Sequence, residues 1–247
     1  MSVAVPLDRV ELARAQMLDL FPEGFEEIES ADGVELVAYT NGAGQERFAA
    51  VFGSVTGEDV PDDWHDRWRA FHRGVRIGRL WVGPPWEQPD PDATPVVIDP
   101  GLAFGTGAHA TTRLCLELLD DLPRGRLLDV GCGSGVIAIA AAKLGFGPVI
   151  GVDLDPHAIV AARENARANG VDLALETIDA RRGVLPEADV AVANIALDAV
   201  EALAAGLRAR VVVTSGYLVS EQPVLEGYRI VERRQRDGWA ADLYEAR

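Results

Sequence analysis

The chain has 247 residues, 48% of them hydrophobic and 25% charged, a balance that is typical of folded globular proteins and excludes a globally disordered chain. Its formal net charge of −16 argues against a nucleic-acid backbone as the main partner, because phosphate contacts need clustered lysine and arginine side chains. An acidic surface suits a small ligand or a basic protein partner, or it serves only to keep the protein in solution.

The first 56 residues are predicted to form a small α+β domain. Apolar side chains in residues 7–21 recur at helical spacing, which predicts an amphipathic helix (Leu7, Val10, Ala13, Met17 and Leu20). Three short runs follow, FEEIES, VELVAYT and RFAAVFG, and each is predicted to be a strand because turn sequences separate them. No nucleotide-binding motif occurs in this part of the sequence.

Residues 57–95 are predicted to connect this domain to the rest of the chain. Residues 61–73 begin with a proline and carry an aromatic stripe at helical spacing, which predicts a connector helix (Trp64, Trp68 and Phe71). His65 and His72 flank the stripe without carboxylates in register, so we expect no metal role for them. Residues 83–95 are rich in proline and acidic side chains and are predicted to be an extended linker or a boundary loop.

From residue 96 to residue 247, runs typical of buried strands alternate with helical segments. The pairs are RLLDV with VIAIAAAKLG, PVIGVD with PHAIVAARENARANG, DVAVANI with LDAVEALAAGLR, and RVVVTSG with SEQPVLEG. This alternation predicts right-handed crossovers and a mostly parallel, doubly wound sheet with helices on both faces. The tail YRIVERRQRDGWAADLYEAR predicts two strands joined at RDG, an antiparallel pair that closes one edge.

The first strand of this part runs into a glycine-rich turn, LDVGCGSG, at residues 128–135. Gly131, Gly133 and Gly135 permit a tight turn and a close approach of a ligand to the backbone. In open α/β sheets, ligands bind at this carboxyl end of the strands. Several nucleotide-binding classes share such a turn, and a turn with glycines only for packing is the alternative.

The spacing of the glycines narrows the class of ligand. The pattern is G-x-G-x-G, whereas a dinucleotide site has G-x-G-x-x-G, and no phosphate-loop lysine follows. Asp153 ends the next strand, 22 residues after Gly131, where a carboxylate can accept both hydroxyls of a ribose. Asp155 is the alternative ribose partner, although Pro156 after it favours a role as helix cap. The predicted ligand is a nucleoside that needs no phosphate-binding residues. S-adenosylmethionine, with its cationic sulfonium, fits this description.

The strand run DVAVANI ends in VANI, residues 192–195. The side-chain carbonyl of Asn194 could accept a hydrogen bond from an amine and direct the nitrogen lone pair toward a methyl group. Helix capping is the alternative role for this asparagine. The sequence therefore points to methyl transfer to an amine, with Asn194 at the reaction centre.

Cys115 and Cys132 lie 17 residues apart, a pattern that fits neither a zinc site nor a disulfide framework. We expect both thiols to be reduced and structural, as in a cytoplasmic protein, and we expect no metal. The N-terminal residues lack the features of a signal peptide. The longest apolar run, VIAIAAA at residues 136–142, is too short to span a bilayer.

These segments together resemble the bacterial ribosomal protein methyltransferases of the PrmA type, which methylate ribosomal protein L11. The similarity is strongest in DPGLAFGTGAHATTRLCLELL, LLDVGCGSGVIAIAAAKLG, GVDLDPHAIVAARENARANGV and VANI. It extends more loosely to DDWHDRWRAFHRGVRIGRLWVGPPWE and covers residues 60–247, whereas the first 60 residues match poorly. The resemblance implies an N-terminal substrate-recognition domain, a linker and a seven-stranded, Rossmann-like class I methyltransferase domain.

The resemblance also implies the residues that contact S-adenosylmethionine. These are Thr112, Gly131, Asp153 and Asn194, and Gly133 belongs to the same glycine turn. Residues 101–112, GLAFGTGAHATT, would then be a lid over the cofactor, with Phe104 lying against it. His109 would help to position the acceptor amine, or it would have a structural role within the loop.

The function implied is S-adenosylmethionine-dependent methylation of lysine and α-amino groups of ribosomal protein L11, by a cytoplasmic and monomeric enzyme. Its partner would be a basic protein, with no direct contact to nucleic acid or membrane. The alternatives are the same chemistry on a different protein lysine or a small-molecule amine, and methylation of a nucleobase amine. The last usually shows N-P-P-aromatic where NIAL stands here. A cofactor-binding module or a nicotinamide oxidoreductase is a further alternative.

Overall fold

The computed structural model describes residues 1–6, 9–10, 13, 16–17, 20, 26–30, 33–38, 42–53, 73–99 and 107–247. The chain divides into two compact units, Met1–Arg67 and Trp68–Arg247. The predicted connector helix, with Trp64, His65, Trp68, Phe71 and His72, lies outside the described residues. The domain boundaries after residues 56 and 95 therefore stay predictions.

The first unit contains a three-stranded antiparallel sheet. Its strands are β1 (Ser2–Pro6), β2 (Glu26–Ser30) and β3 (Gly33–Val37), in the order β1-β3-β2. The described positions of the predicted first helix are helical, and Val10, Ala13 and Met17 on it are buried. They pack with Leu36 of the central strand in one apolar cluster. Here the helical spacing of the apolar side chains predicted the buried face correctly.

The strand predicted for RFAAVFG is wrong, because this run lies in helix α1 (Gly42–Phe52). Phe48 is fully buried, and its ring centroid lies 5.0 Å from that of Phe52, four residues later. Aromatic residues four apart share one face of a helix. The β-propensity of phenylalanine and valine suggested a strand, and the tertiary contact of Phe48 decides for the helix.

A second three-stranded sheet opens the described part of the second unit. It consists of β4 (Val75–Ile77), β5 (Leu80–Gly83) and β6 (Thr94–Val97), with β4 antiparallel and β6 parallel to β5. The predicted extended linker, residues 83–95, thus begins in one strand and ends in its neighbour. Proline and acidic residues between the strands suggested an open linker, but hydrogen bonds pair its two ends.

The main sheet has seven strands in the order β12-β13-β11-β10-β7-β8-β9. The strands are β7 (Leu127–Val130), β8 (Val149–Asp153), β9 (Ala174–Thr177), β10 (Ala188–Asn194), β11 (Ala209–Leu218), β12 (Tyr228–Arg236) and β13 (Trp239–Ala246). Five neighbouring strands, β9, β8, β7, β10 and β11, are parallel. β13 is antiparallel to both of its neighbours. The predicted doubly wound, mostly parallel seven-stranded sheet is confirmed.

Four helices belong to this sheet: α2 (Ala110–Asp121), α3 (Val136–Lys143), α4 (Pro156–Ala168) and α5 (Leu197–Leu203). Leu127 joins the core cluster that contains residues of α2 and α3, whereas Leu128 joins the cluster that contains residues of α5. Neighbouring residues of a strand point to opposite faces of the sheet. Two separate apolar cores therefore cover the sheet, one on each face.

Two features of the sheet differ from the sequence prediction. Strand β9 was not predicted, because its short run ALET is mostly exposed and carries no apolar periodicity. The helix predicted for SEQPVLEG, residues 220–227, is wrong, since this segment is irregular. Pro223 has no N–H to continue a helix. The Tyr244 hydroxyl donates a 2.7 Å hydrogen bond to the Pro223 carbonyl, which holds the segment against β13.

The predicted hairpin at the end of the chain is confirmed. Asp237 and Gly238 join β12 to β13, and both have positive φ (+50° and +83°), as in the two-residue turns that match strand twist. Cys115 and Cys132 are free and buried, as predicted. Within the described ranges, no helix is long and apolar enough to cross a membrane. Among the same described residues, no group of three or more histidine, cysteine, aspartate or glutamate side chains is arranged to bind a metal ion.

Candidate active site

The segments that the sequence singled out meet at one edge of the main sheet. The glycine turn follows β7, Asp153 ends β8, and Asn194 ends β10. β7 lies between β8 and β10, and the chain leaves β7 and β10 over opposite faces of the sheet. This is the topological switch point at which open α/β sheets bind ligands.

Four N–H groups of the glycine turn are bonded inside the protein. Those of Gly131 and Cys132 donate to the Val152 carbonyl (2.8 and 3.1 Å), that of Gly133 to Asp153 Oδ2 (2.8 Å), and that of Gly135 to the Cys132 carbonyl (2.8 Å). The three glycines have φ of +71°, +52° and +81°, which L side chains rarely adopt. A pyrophosphate needs free N–H donors. This turn therefore suits a ligand that approaches closely but makes no phosphate contact.

Asp153 carries a carboxylate that the turn itself orients. Its Oδ2 accepts from Gly133 N, and its Oδ1 accepts from Asp155 N at 3.0 Å. Each carboxylate oxygen has a second lone pair, so both can also accept from the hydroxyls of a ribose. Asp155 is the N-cap of α4 and accepts from His157 N at 2.8 Å, with Pro156 at the first helical position. The predicted capping role of Asp155 is confirmed.

Asp129 is a second carboxyl group at the turn, and it is fully buried. Its Oδ2 accepts a hydrogen bond of 3.0 Å from the N–H of Ala138 in the first turn of α3. Burial raises the pKa of Asp129 to about 7, the Ala138 N–H lowers it, and the negative charge of Asp153 raises it. Asp129 thus places a carboxyl group at a helix N-terminus, the position that an anionic ligand would otherwise take.

The charge of the site favours a cationic ligand. Asp129 and Asp153 flank the glycine turn, and none of the described ion pairs brings a lysine or arginine to either carboxyl. A phosphate there would meet two acidic groups and few donors. A ribose-bearing cation would gain from both carboxyl groups.

Thr112 and Asn194, which are 82 residues apart in the chain, are in direct contact. Asn194 Nδ2 donates to Thr112 Oγ1 at 3.3 Å. Thr112 is buried in the first turn of α2, and Asn194 is half-buried at the end of β10. This bond uses an amide N–H of Asn194 and leaves its carbonyl oxygen for another donor. The arrangement brings two predicted site residues together beside the glycine turn.

His109 is the N-cap of α2. Its Nδ1 accepts a long hydrogen bond from Thr111 N (3.4 Å) and lies 2.8 Å from Thr111 Oγ1. Its ring also stands edge-on to Trp239, with centroids 4.9 Å apart and planes at 69°. These contacts give His109 a structural role at the start of α2. Its proposed role toward an amine stays a prediction, and Phe104 lies outside the described residues.

Sequence reasoning missed two residues that hold the site together. Asn165 of α4 is 2% exposed, donates from Nδ2 to the Ser134 carbonyl in the glycine turn (2.9 Å) and accepts from Asp99 N (3.1 Å). A polar residue on the apolar stripe of α4 was the signal that could have revealed it. Ile195 contacts the glycine turn directly, and no local pattern announces that contact.

The family model of ribosomal protein L11 methyltransferases (PrmA) matches residues 22–244. Among curated proteins, the ribosomal protein L11 methyltransferase of Aeromonas hydrophila is 44% identical over 195 residues, which is 72% of this chain and 67% of that protein. The enzyme of the same name from Tolumonas auensis is 48% identical over 165 residues, 59% of this chain and 54% of that protein. The chain thus spans between about half and two thirds of these relatives.

A solved structure gives the same result for the fold. The crystal structure of a ribosomal protein L11 methylase from Lactobacillus delbrueckii subsp. bulgaricus is 29% identical, with a TM-score of 0.65. The alignment covers 71% of this chain and 99% of that one. The seven-stranded sheet of this chain is accordingly that of a class I methyltransferase.

Proposed function

Because the chain belongs to the ribosomal protein L11 methyltransferase (PrmA) family, we propose that it transfers methyl groups from S-adenosylmethionine to lysine and α-amino groups of ribosomal protein L11. We take ribosomal protein L11 as the acceptor because the relatives of this chain are named after it. The net charge of −16 supports a basic protein acceptor, because an acidic surface attracts it. A ribosomal acceptor supports a cytoplasmic location.

The observation that carries the choice of cofactor is the glycine turn between two carboxyl groups. Four of its N–H groups are bonded internally, so a dinucleotide would find few donors for its pyrophosphate there. Asp153 can accept from ribose hydroxyls, and Asp129 favours positive charge near the turn. S-adenosylmethionine combines a ribose with a sulfonium and an ammonium group, and it supplies an activated methyl group. Gly131, Gly133 and Asp153 would hold it, together with Thr112 and Asn194.

Asn194, held by Thr112, orients the acceptor amine. The bond from Asn194 to Thr112 holds the asparagine amide in one orientation, with its carbonyl oxygen available to an incoming N–H. Accepting that N–H directs the nitrogen lone pair at the methyl carbon. S-adenosylmethionine held by the glycine turn and Asp153 would supply the activated methyl group, and most of the rate enhancement would come from the alignment of the amine by Asn194.

The acceptor must be neutral before it reacts. A lysine with an ordinary pKa near 10.4 loses its proton at a cost of roughly 4–5 kcal/mol at pH 7. Desolvation beside a positive charge lowers that pKa. We propose that the proton passes to solvent, because the predicted amine-positioning His109 is engaged with Thr111 and Trp239.

Intact-mass analysis of ribosomal protein L11 after incubation with this protein and S-adenosylmethionine tests the function. We expect mass gains in steps of one methylene group, about 14 Da. Ribosomal protein L11 that stays unmodified, while the chain labels another protein or a small amine in a cell extract, would contradict the proposed acceptor. Binding of NAD in place of S-adenosylhomocysteine would contradict the methyltransferase assignment.

The role of Asn194 is tested in the same assay with Asn194→Ala. We expect turnover at saturating cofactor to fall by about 10²-fold, since the amine loses the acceptor that orients it. Gln235→Ala, which removes an exposed amide on β12, is the matched control and should leave turnover unchanged. Wild-type turnover of Asn194→Ala would show that this amide does not orient the acceptor.

A further inference from the structure

Ile195, the residue after Asn194, lies between two glycines. A Cβ atom on Gly131 would overlap Ile195 Cγ2. A Cβ atom on Gly216 would lie 2.7 Å from the carbonyl carbon of Ile195 and 3.0 Å from its amide nitrogen, and closer still to its carbonyl oxygen. Any side chain at either glycine would therefore displace Ile195.

A β-bulge in β11 creates the contact with Gly216. The register between β11 and β13 shifts between Ser215 and Tyr217, and Gly216 at the shift has a φ of +104°. Ile195 N donates a hydrogen bond of 3.1 Å to the Ser215 carbonyl, next to the bulge. Bulges bend a strand and redirect neighbouring groups. Here the bulge brings the backbone of β11 at Gly216 against that of Ile195.

The contact with Gly131 lies on the opposite side and belongs to the cofactor turn. Gly131 follows β7, which neighbours β10 in the sheet. The side chain of Ile195 fills the space that the glycine leaves open, and its remaining atoms pack against the apolar core on the α5 face. The backbone of Ile195 is thus held by Gly216, and its side chain is held by the glycine turn.

Asn194 is held by the same arrangement. It pairs with Ser215 in the β10–β11 ladder, and its side chain reaches Thr112 at 3.3 Å. A shift of the Ile195 backbone would therefore also move the Asn194 amide relative to the glycine turn.

We propose that Ile195 is a positioning residue, which aligns the acceptor-binding Asn194 with the cofactor turn through its contacts with Gly131 and Gly216. The proposal rests on the proposed methyl transfer for its effect on rate. Ile195 touches neither reactant in this role and acts through Asn194. A misplacement of about 1 Å at a reacting centre costs on the order of 10²-fold in rate.

The first test is Gly216→Ala, which forces the backbone of Ile195 to move. We expect kcat on ribosomal protein L11 to fall by about 10²-fold. The Kd for S-adenosylhomocysteine, measured by calorimetry, should change less than about tenfold, because only the Asn194 contact is displaced and the turn keeps its bonds to Val152 and Asp153. Gly145→Ala is the matched control: Gly145 has a φ of +94°, and a Cβ there meets no atom within 4 Å. Both variants place a side chain at a positive φ, but only Gly216→Ala should lose kcat.

The second test separates positioning from core packing by varying the side chain of Ile195. Ile195→Val keeps both γ carbons, including the one that contacts Gly131, and should stay within about threefold of wild-type kcat. Ile195→Ala removes that contact, and we expect kcat to fall by at least about tenfold, a larger factor than the rise in the Kd for S-adenosylhomocysteine. A packing role alone would lower the unfolding midpoint of Ile195→Ala without this separation of kcat from Kd.

The Asn194 side-chain amide gives a readout that needs no acceptor. Its NMR resonance, assigned by its loss in Asn194→Ala, should shift in Gly216→Ala and Ile195→Ala and stay in place in Ile195→Val and Gly145→Ala. Unshifted resonances together with wild-type kcat in Gly216→Ala or Ile195→Ala would overturn the proposal. If wild-type protein leaves ribosomal protein L11 unmethylated but the resonance shifts as expected, the proposed acceptor is wrong and the positioning role stands.

Discussion

Asp129 and Asp153 are both acidic, but the protein treats them differently. Asp153 is partly exposed and keeps two N–H donors, whereas Asp129 is buried and accepts from one N–H group of α3. Burial is the largest influence on Asp129 and raises its pKa to about 7, with the charge of Asp153 adding to the shift. The charge of Asp129, beside the turn, therefore depends on pH near neutrality.

Replacing Asp129 with asparagine tests whether the pKa of Asp129 is raised, through the pH dependence of the free energy of unfolding. A carboxyl group with a raised pKa in the folded state stabilises the fold at low pH and loses that contribution as pH rises through 7. We expect wild-type protein, without cofactor, to lose roughly 3 kcal/mol of unfolding free energy relative to Asp129→Asn between pH 5 and pH 8. Urea unfolding of both proteins at the two pH values measures this. Parallel pH dependence in the two proteins would contradict the raised pKa.

At the scale of elements, α4 ties the small sheet β4–β6 to the cofactor turn. The Asn169 side chain, at the end of α4, accepts from Val97 N (2.9 Å) and donates to the Val97 carbonyl (2.6 Å), as a neighbouring strand would. Asn165, one turn earlier, joins Asp99 to the Ser134 carbonyl. The side-chain amides of Asn165 and Asn169 thus pair with backbone groups of Val97 and Asp99, at the end of β6 and in the segment that follows it.

Asn169→Ala should therefore destabilise the second unit. The substitution leaves the N–H and C=O groups of Val97 without these partners, and we expect a loss of about 2–3 kcal/mol in the free energy of unfolding. Glu164→Ala, at an exposed position of α4, is the control and should change stability by less than about 0.5 kcal/mol. Urea unfolding measures both variants. Equal stability of the two would mean that water replaces the Asn169 amide at no cost.

At the scale of the whole molecule, every described residue of the site belongs to the second unit. The glycine turn, Asp153, Asn194, Thr112 and the bulge at Gly216 all fall within Trp68–Arg247, which has its own apolar cores. The first unit has a separate core around Met17, Leu36 and Phe48. Binding of cofactor and recognition of the acceptor are therefore expected to separate between the units.

Expression of residues 68–247 alone tests this separation. We expect the fragment to fold and to bind S-adenosylhomocysteine with a Kd within about threefold of that of the full chain, because no described cofactor contact is lost. Methylation of ribosomal protein L11 should fall by at least about tenfold, since the predicted recognition domain is missing. Calorimetry and intact-mass analysis measure the two effects. Full methylation by the fragment would contradict the recognition role of the first unit.

The sequence by itself determined the features that depend on local rules. Alternating strand and helix patterns predicted the doubly wound sheet, and the glycine spacing with Asp153 predicted its ligand-binding edge. Asp155 before Pro156 predicted a helix cap that the structure contains. Periodicity, positive φ and capping are encoded within a few neighbouring residues, so they can be read without knowing the rest of the fold.

Only the tertiary structure decided the features that depend on distant parts of the chain. RFAAVFG is a helix because Phe48 finds a core, and the ends of the predicted linker are paired strands. Thr112 meets Asn194 across 82 residues, and Ile195 lies between Gly131 and Gly216. Such contacts arise when packing brings separate strand ends together, and no local pattern of residues specifies which partner will arrive.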